Sequence, residues 1–205
     1  FHATFEALED NSDGALALRA LLEGDASLLE QVYLFEHMTE AEREASLSEP
    51  SSSLIRAFRA VPHVVQRFFL YPYQEGLLFA LEVFRTGEWD AVDQAFEELP
   101  ESTEQILHPD KYFAGHRPIT VQLPDLAAAL GEGWSEVARD TMGEFFLMSY
   151  LETDLSNREA SPAAQGWGGD RFSLLQGPLD ETVLVLSIDW DTGDDALEFY
   201  ETFLE

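Results

Sequence analysis

The feature that most constrains this chain is a helical apolar repeat with acids set into it. Leu18, Leu21, Leu22, Leu28, Leu29, Val32 and Tyr33 follow the i, i+3, i+4, i+7 recurrence of an amphipathic helix. That spacing predicts one helix from about Ala15 to His37. Asp25 falls within the apolar stripe and Glu23 on a neighbouring face, where the small Ala20, Ala26 and Ser27 leave room for another element. A helix with two carboxylates and Gly24 where leucines would be more stabilising gives up stability for a site.

The 205 residues, 45% of them hydrophobic, suffice for one well-formed core, and we expect a single domain over 1–205. The apolar patches at Phe68–Tyr73 and Gly76–Leu81 are too short to span a bilayer, so no membrane insertion is expected. Forty acidic against 11 basic residues, a formal net charge of -29, argue against nucleic acid, because no basic stripe exists to displace counterions from phosphate. Such a surface fits a high-salt environment, where screening removes self-repulsion, and also fits an ordinary protein kept in solution by its charge. The absence of cysteine excludes disulfides, thiolate nucleophiles and cysteine-ligated metal. The chain opens at Phe1 without an initiator methionine, as a processed or trimmed form would. If a signal segment was removed, the expected location is extracytoplasmic in a bacterium.

Asn11 to Gly14 reads as a turn or cap, Thr39 to Glu42 as the cap of a polar helix, and Leu47 to Ser53 as a mobile loop inserted within the domain. Leu54 to Ala60 looks helical, a helix restarts at Pro72 and runs to Gly87, and another covers Trp89 to Leu99. Ser102-Thr103-Glu104-Gln105 is a capping box whose short helix must stop before Pro109, leaving His108 at its end. Ile119 to Leu123 alternates like a strand, Pro124-Asp125 restarts a helix through Leu130, and Trp134 to Leu151 reads as one long apolar helix. Phe172 to Gln176 and Thr182 to Trp190 form an antiparallel pair, and Asp191-Thr192 caps a last helix from Asp194 to Leu204. The fold class is α+β, predominantly helical with a small antiparallel sheet near the C-terminus.

Leu22-Glu23-Gly24-Asp25-Ala26 resembles the Glu-Gly-x-Ala segment of zincin-type metallopeptidases of the Glu-ligand kind. Ser102 to Tyr112, Gly143-Glu144 and Gly166 to Arg171 are similar to segments of uncharacterised bacterial zincin-like proteins. The resemblance implies a zincin-like fold, zinc as cofactor, Glu23 as third ligand, Asp25 behind it, and a peptide or protein substrate. It also implies a His-Glu-x-x-His helix shortly before Phe1. That motif does not occur here, and the five histidines include no pair at i, i+4. Catalytic zinc needs three protein ligands and an open position, so the chain as given is expected to be catalytically incomplete and to hold no zinc.

Each candidate has a plainer reading. Glu23 can be a helix-face carboxylate paired with Arg19. His108, Lys111 and Tyr112 place an imidazole, an ammonium and a phenol in one segment, the groups that polarise a carbonyl or hold an oxyanion; His108 can instead cap its helix end. Glu144 is a buried-acid candidate with a raised pKa, or a partner for Arg139 or Arg171. Trp167 and Arg171 can line a cleft; the plainer readings are core packing for Trp167 and an ion pair with Asp170 or a helix acid for Arg171. The glycines around Trp167 are expected to turn at positive φ, since the order helix, glycines, strand is the reverse of a phosphate loop. The alternative to a peptidase remnant is a non-catalytic binding module whose cleft lies near His108, Trp167 and Arg171.

Overall fold

The computed structural model describes residues 5–46 and 52–204. The expected loop at Leu47 to Ser53 lies largely outside them. The chain divides into two compact units, one made of 1–16 with 101–205 and the other of 17–100. The fold is α+β and predominantly helical.

Asn11 opens α1 (Ser12–His37): its side-chain oxygen accepts the Gly14 N–H at 3.0 Å. The expected turn thus contracts to one capping residue, and the helix starts three residues earlier than its apolar pattern. In the 17–100 unit, α1 continues past Gly24. Thr39 and Glu42 then form a reciprocal cap for α2 (Glu40–Ser46). After α3 (Ser52–Arg59), α4 (His63–Ala95) runs through Pro72 instead of restarting there. A mid-helix proline costs about 3 kcal/mol in isolation, but Tyr71, Pro72 and Gly76 are all buried, and tertiary packing overrides propensity. The break comes where the glycine predicts it, at Gly87 and Glu88, with Glu88 at φ 57°. The second segment ends at Ala95, short of the expected Leu99.

Gly24 explains how α1 and α4 pack. A Cβ on Gly24 would lie 2.1 Å from the Gly76 carbonyl oxygen, and one on Gly76 would lie 2.2 Å from that of Ala20. The two backbones therefore touch, and no larger residue fits at either position. Around this crossing Leu18, Ala20, Leu21, Phe79, Ala80 and Val83 are buried.

The other unit is built on a three-stranded antiparallel sheet, order β1-β2-β3, with β1 Ser135–Asp140, β2 Trp167–Gln176 and β3 Thr182–Trp190. β2 and β3 form the expected hairpin, in register at Phe172↔Leu186 and Gln176↔Thr182. β1 is a correction, because Trp134 to Leu151 is not one helix. Ser135 to Asp140 pairs with Gln176 to Phe172, and the helix α8 (Gly143–Leu151) begins only at Gly143, at φ +76°. This switch is made by long-range strand pairing.

Before the sheet lie α5 (Thr103–Leu107) and α6 (Pro109–Phe113), with His108 between them as predicted. Ser102 Oγ accepts the Gln105 N–H at 3.3 Å, whereas the Gln105 side chain caps Glu101 at 2.6 Å and donates to the His116 carbonyl at 2.5 Å. The box is thus half formed. Ile119 to Leu123 is not a strand; Pro118 and Pro124 withhold donors at either end, and the segment shows one backbone bond to the sheet, Ile119 N–H to the Gly168 carbonyl at 2.7 Å. Asp125 caps α7 (Leu126–Leu130), Ser156 and Glu159 cap α9 (Asn157–Ala164), and Thr192 caps α10 (Gly193–Phe203). Among the described residues no helix is long and apolar enough to cross a membrane.

Candidate functional site

In the 17–100 unit, Glu23 and Asp25 sit on α1 either side of the Gly24 crossing and are half-buried. Arg19 does not pair with Glu23: its guanidinium lies over the Phe68 ring, 5.8 Å from the centroid. The structure gives Glu23 no hydrogen bond or ion pair among the described residues. Burial raises the Asp25 carboxyl, and the nearby charge of Asp93 adds to the effect.

The other unit gathers a larger polar cluster where α5, α6 and the start of α8 meet the end of β3. Lys111, the sole lysine, places Nζ 2.5 Å from Glu104 Oε1 and 2.6 Å from Asp191 Oδ2. On the opposite side, His116 Nδ1 is 3.5 Å from Glu104 Oε2 and its Nε2 is 3.5 Å from Asp191 Oδ1. The four side chains close a ring in which each carboxylate faces the lysine with one oxygen and the histidine with the other. Glu104 is fully buried, and burial raises its pKa against the lowering bond from Lys111. For Lys111, desolvation pulls the ammonium's pKa down, but the bonds to Asp191 and Glu104 outweigh it and the net shift is upward.

His108 joins the cluster from the hinge between α5 and α6. Its Nε2 is 2.8 Å from Oε1 of Glu144, in the first turn of α8. The hydrogen bond to Glu144 raises the pKa of the histidine, while burial raises that of the Glu144 carboxyl. Glu144 therefore pairs with neither arginine: Arg139 holds Glu136 at 2.9 Å, and Arg171 donates to the Asp10 carbonyl at 2.6 Å.

Behind this layer lies an uncharged-looking but acid-based scaffold. Asp170 accepts the N–H groups of Met142 at 2.8 Å and Gly143 at 2.7 Å and the Trp167 indole N–H at 2.9 Å. Asp13 accepts the Thr103 N–H at 3.1 Å and a short bond from the Thr103 hydroxyl, which in turn accepts the Phe145 N–H at 3.2 Å. These contacts fix α5 and the start of α8, and with them Glu104 and Glu144.

Of the predicted residues, Lys111, His108 and Glu144 thus converge. Tyr112 is half-buried with its ring edge-on to Phe113 at 5.7 Å. Trp167 is no cleft residue: it is fully buried and its indole N–H is bonded to Asp170. Arg171 does not pair with Asp170. Only Gly166 among the glycines around Trp167 has positive φ; Gly169 is required because a Cβ there would lie 2.1 Å from the Ile119 oxygen. Glu104, His116 and Asp191 were not singled out by sequence. Glu104 was hidden in a capping box, and the other two become neighbours of it only through the fold.

A family model described as a domain of unknown function (DUF8575) matches residues 129–205, which contain β1 to β3 and α8 to α10. No curated protein and no solved structure matches the chain.

Proposed function

We propose that this chain is part of a zincin-like metallopeptidase and contributes one zinc ligand, Glu23, with Asp25 behind it. The observation that carries this reading is a half-buried glutamate with no hydrogen bond or ion pair among the described residues. It is seated at a helix crossing that requires the Glu-Gly-x-Ala glycine, Gly24, together with Gly76. Its carboxylate oxygens are open to water and taken up by no other side chain among the described residues, as those of a ligand awaiting an ion would be. The described residues around Glu23 offer no second and third ligand, so they do not by themselves fit a zinc ion, and no hydrolytic step is derived for the chain. In an intact protein of this kind two histidines from a His-Glu-x-x-His helix would complete the site, zinc would supply an activated water, and the substrate would be a peptide or protein.

The test is the zinc content of the natural protein, read with its N-terminal sequence. A chain that includes His-Glu-x-x-His and loses one zinc equivalent in Glu23→Ala, in the His116→Gln background as well as without it, supports the reading. Unchanged zinc content in Glu23→Ala overturns it.

A further inference from the structure

We propose that Glu104, His116 and Asp191 form a site for a divalent transition cation, zinc or manganese, distinct from any site at Glu23. Each residue offers one donor atom, and the three donors lie within 4.8 Å of one another. The cluster is more than an accumulation of acids. Oε2 of Glu104, on a side chain with 0% exposure, has no hydrogen-bond partner, and neither does the buried Nδ1 of His116. Their separation of 3.5 Å is too long for a hydrogen bond. It matches the spacing of adjacent donors on a tetrahedral ion with bonds of about 2.1 Å, which is roughly 3.4 Å.

Charge and orientation point the same way. With a neutral imidazole, two carboxylates and the Lys111 ammonium leave the ring one negative charge in excess. Lys111 bonds Oε1 of Glu104 and Oδ2 of Asp191, the oxygens facing away from His116. It thereby fixes both carboxylates from behind, with Oε2 of Glu104 facing Nδ1 and Oδ1 of Asp191 facing Nε2, so that an ion would take one imidazole nitrogen and the oxygen of each carboxylate that Lys111 does not hold. Asp191 and His116 are partly exposed, at 25% and 40%, so an ion has a route in and at least one position open to water. Two carboxylates with one imidazole suit zinc and manganese better than the softer ions that thiolates select.

The experiment is equilibrium dialysis of the full chain carrying Glu23→Ala against zinc chloride and, separately, manganese chloride, with visible spectroscopy of the cobalt-loaded protein. One equivalent of zinc or manganese should bind. His116→Gln and Asp191→Asn, both at partly exposed positions, should each weaken binding at least tenfold, while both metal-free variants still unfold in one cooperative transition. The cobalt d–d bands should be lost with His116→Gln. Failure of both ions to bind, or affinity unchanged in both variants, which would mean adventitious surface binding, overturns the proposal.

Discussion

Gly24 on α1 faces Gly76 on α4 backbone to backbone, with room for no Cβ: one added to Gly24 would stand 2.1 Å from the Gly76 carbonyl oxygen. Two effects compete in Gly24→Ala. Helix propensity favours alanine by about 1 kcal/mol, whereas overpacking costs about 1–3 kcal/mol where side chains can yield. Here the obstacle is backbone, so the helices must separate. We expect a net loss of at least about 2 kcal/mol, read as a lowered urea midpoint; a midpoint at or above that of the parent would mean that the helices do not cross at these glycines.

Asp170 organises the start of α8. Asp170→Ala leaves the N–H groups of Met142 and Gly143 and the Trp167 indole N–H without their acceptor. At about 1–3 kcal/mol for each buried donor left unsatisfied, the loss should exceed about 3 kcal/mol. Thermal unfolding followed by tryptophan fluorescence measures it, and a shift of melting temperature under about two degrees would contradict this role.

Burial pushes the Asp13 carboxyl from 3.8 up to about 8, so it is largely protonated at neutral pH. Because the folded-state pKa lies above the unfolded one, the folded state binds more protons in between. The associated stability is fully present below about pH 4 and is lost as pH rises through about 8. Melting temperature at fixed salt should therefore fall between about pH 5 and pH 9, and Asp13→Asn should fall less steeply. Equal slopes for the two proteins would show that Asp13 is not the titrating group.

The net charge of -29 makes the folded state repel itself. Raising sodium chloride from about 0.1 M to 1 M shortens the screening length from about 10 Å to 3 Å. The melting temperature should rise, with potassium chloride acting equally. A melting temperature that stays level or falls would argue against charge repulsion as a dominant destabilising factor.

Local chemistry explains which elements were legible. The helix ends at Thr39, Ser102, Asp125 and Thr192 depend on a side chain reaching its own chain three residues on, and the end of α5 before Pro109 depends on the backbone restriction that a proline places on the residue before it. The β2–β3 hairpin likewise joins neighbours in sequence across a short turn. Lys111, His108 and Glu144 could be suspected because they lie in short, chemically dense segments.

The misread elements had their local signal overruled at long range. Ser135 to Asp140 is extended because it pairs with β2 some thirty-five residues later, and α4 continues through Pro72 because burial outweighs the lost hydrogen bond. The Glu104, Lys111, His116, Asp191 ring combines one helix, its neighbour, a loop and the end of β3, with the closing residue about eighty positions from the lysine. Amino-acid order therefore determined the α+β class, the caps and the acidic surface, all set by composition or by interactions within a few residues. Tertiary structure alone decided which acids lost their water and which cations met them, because desolvation and ion pairing depend on distance in space.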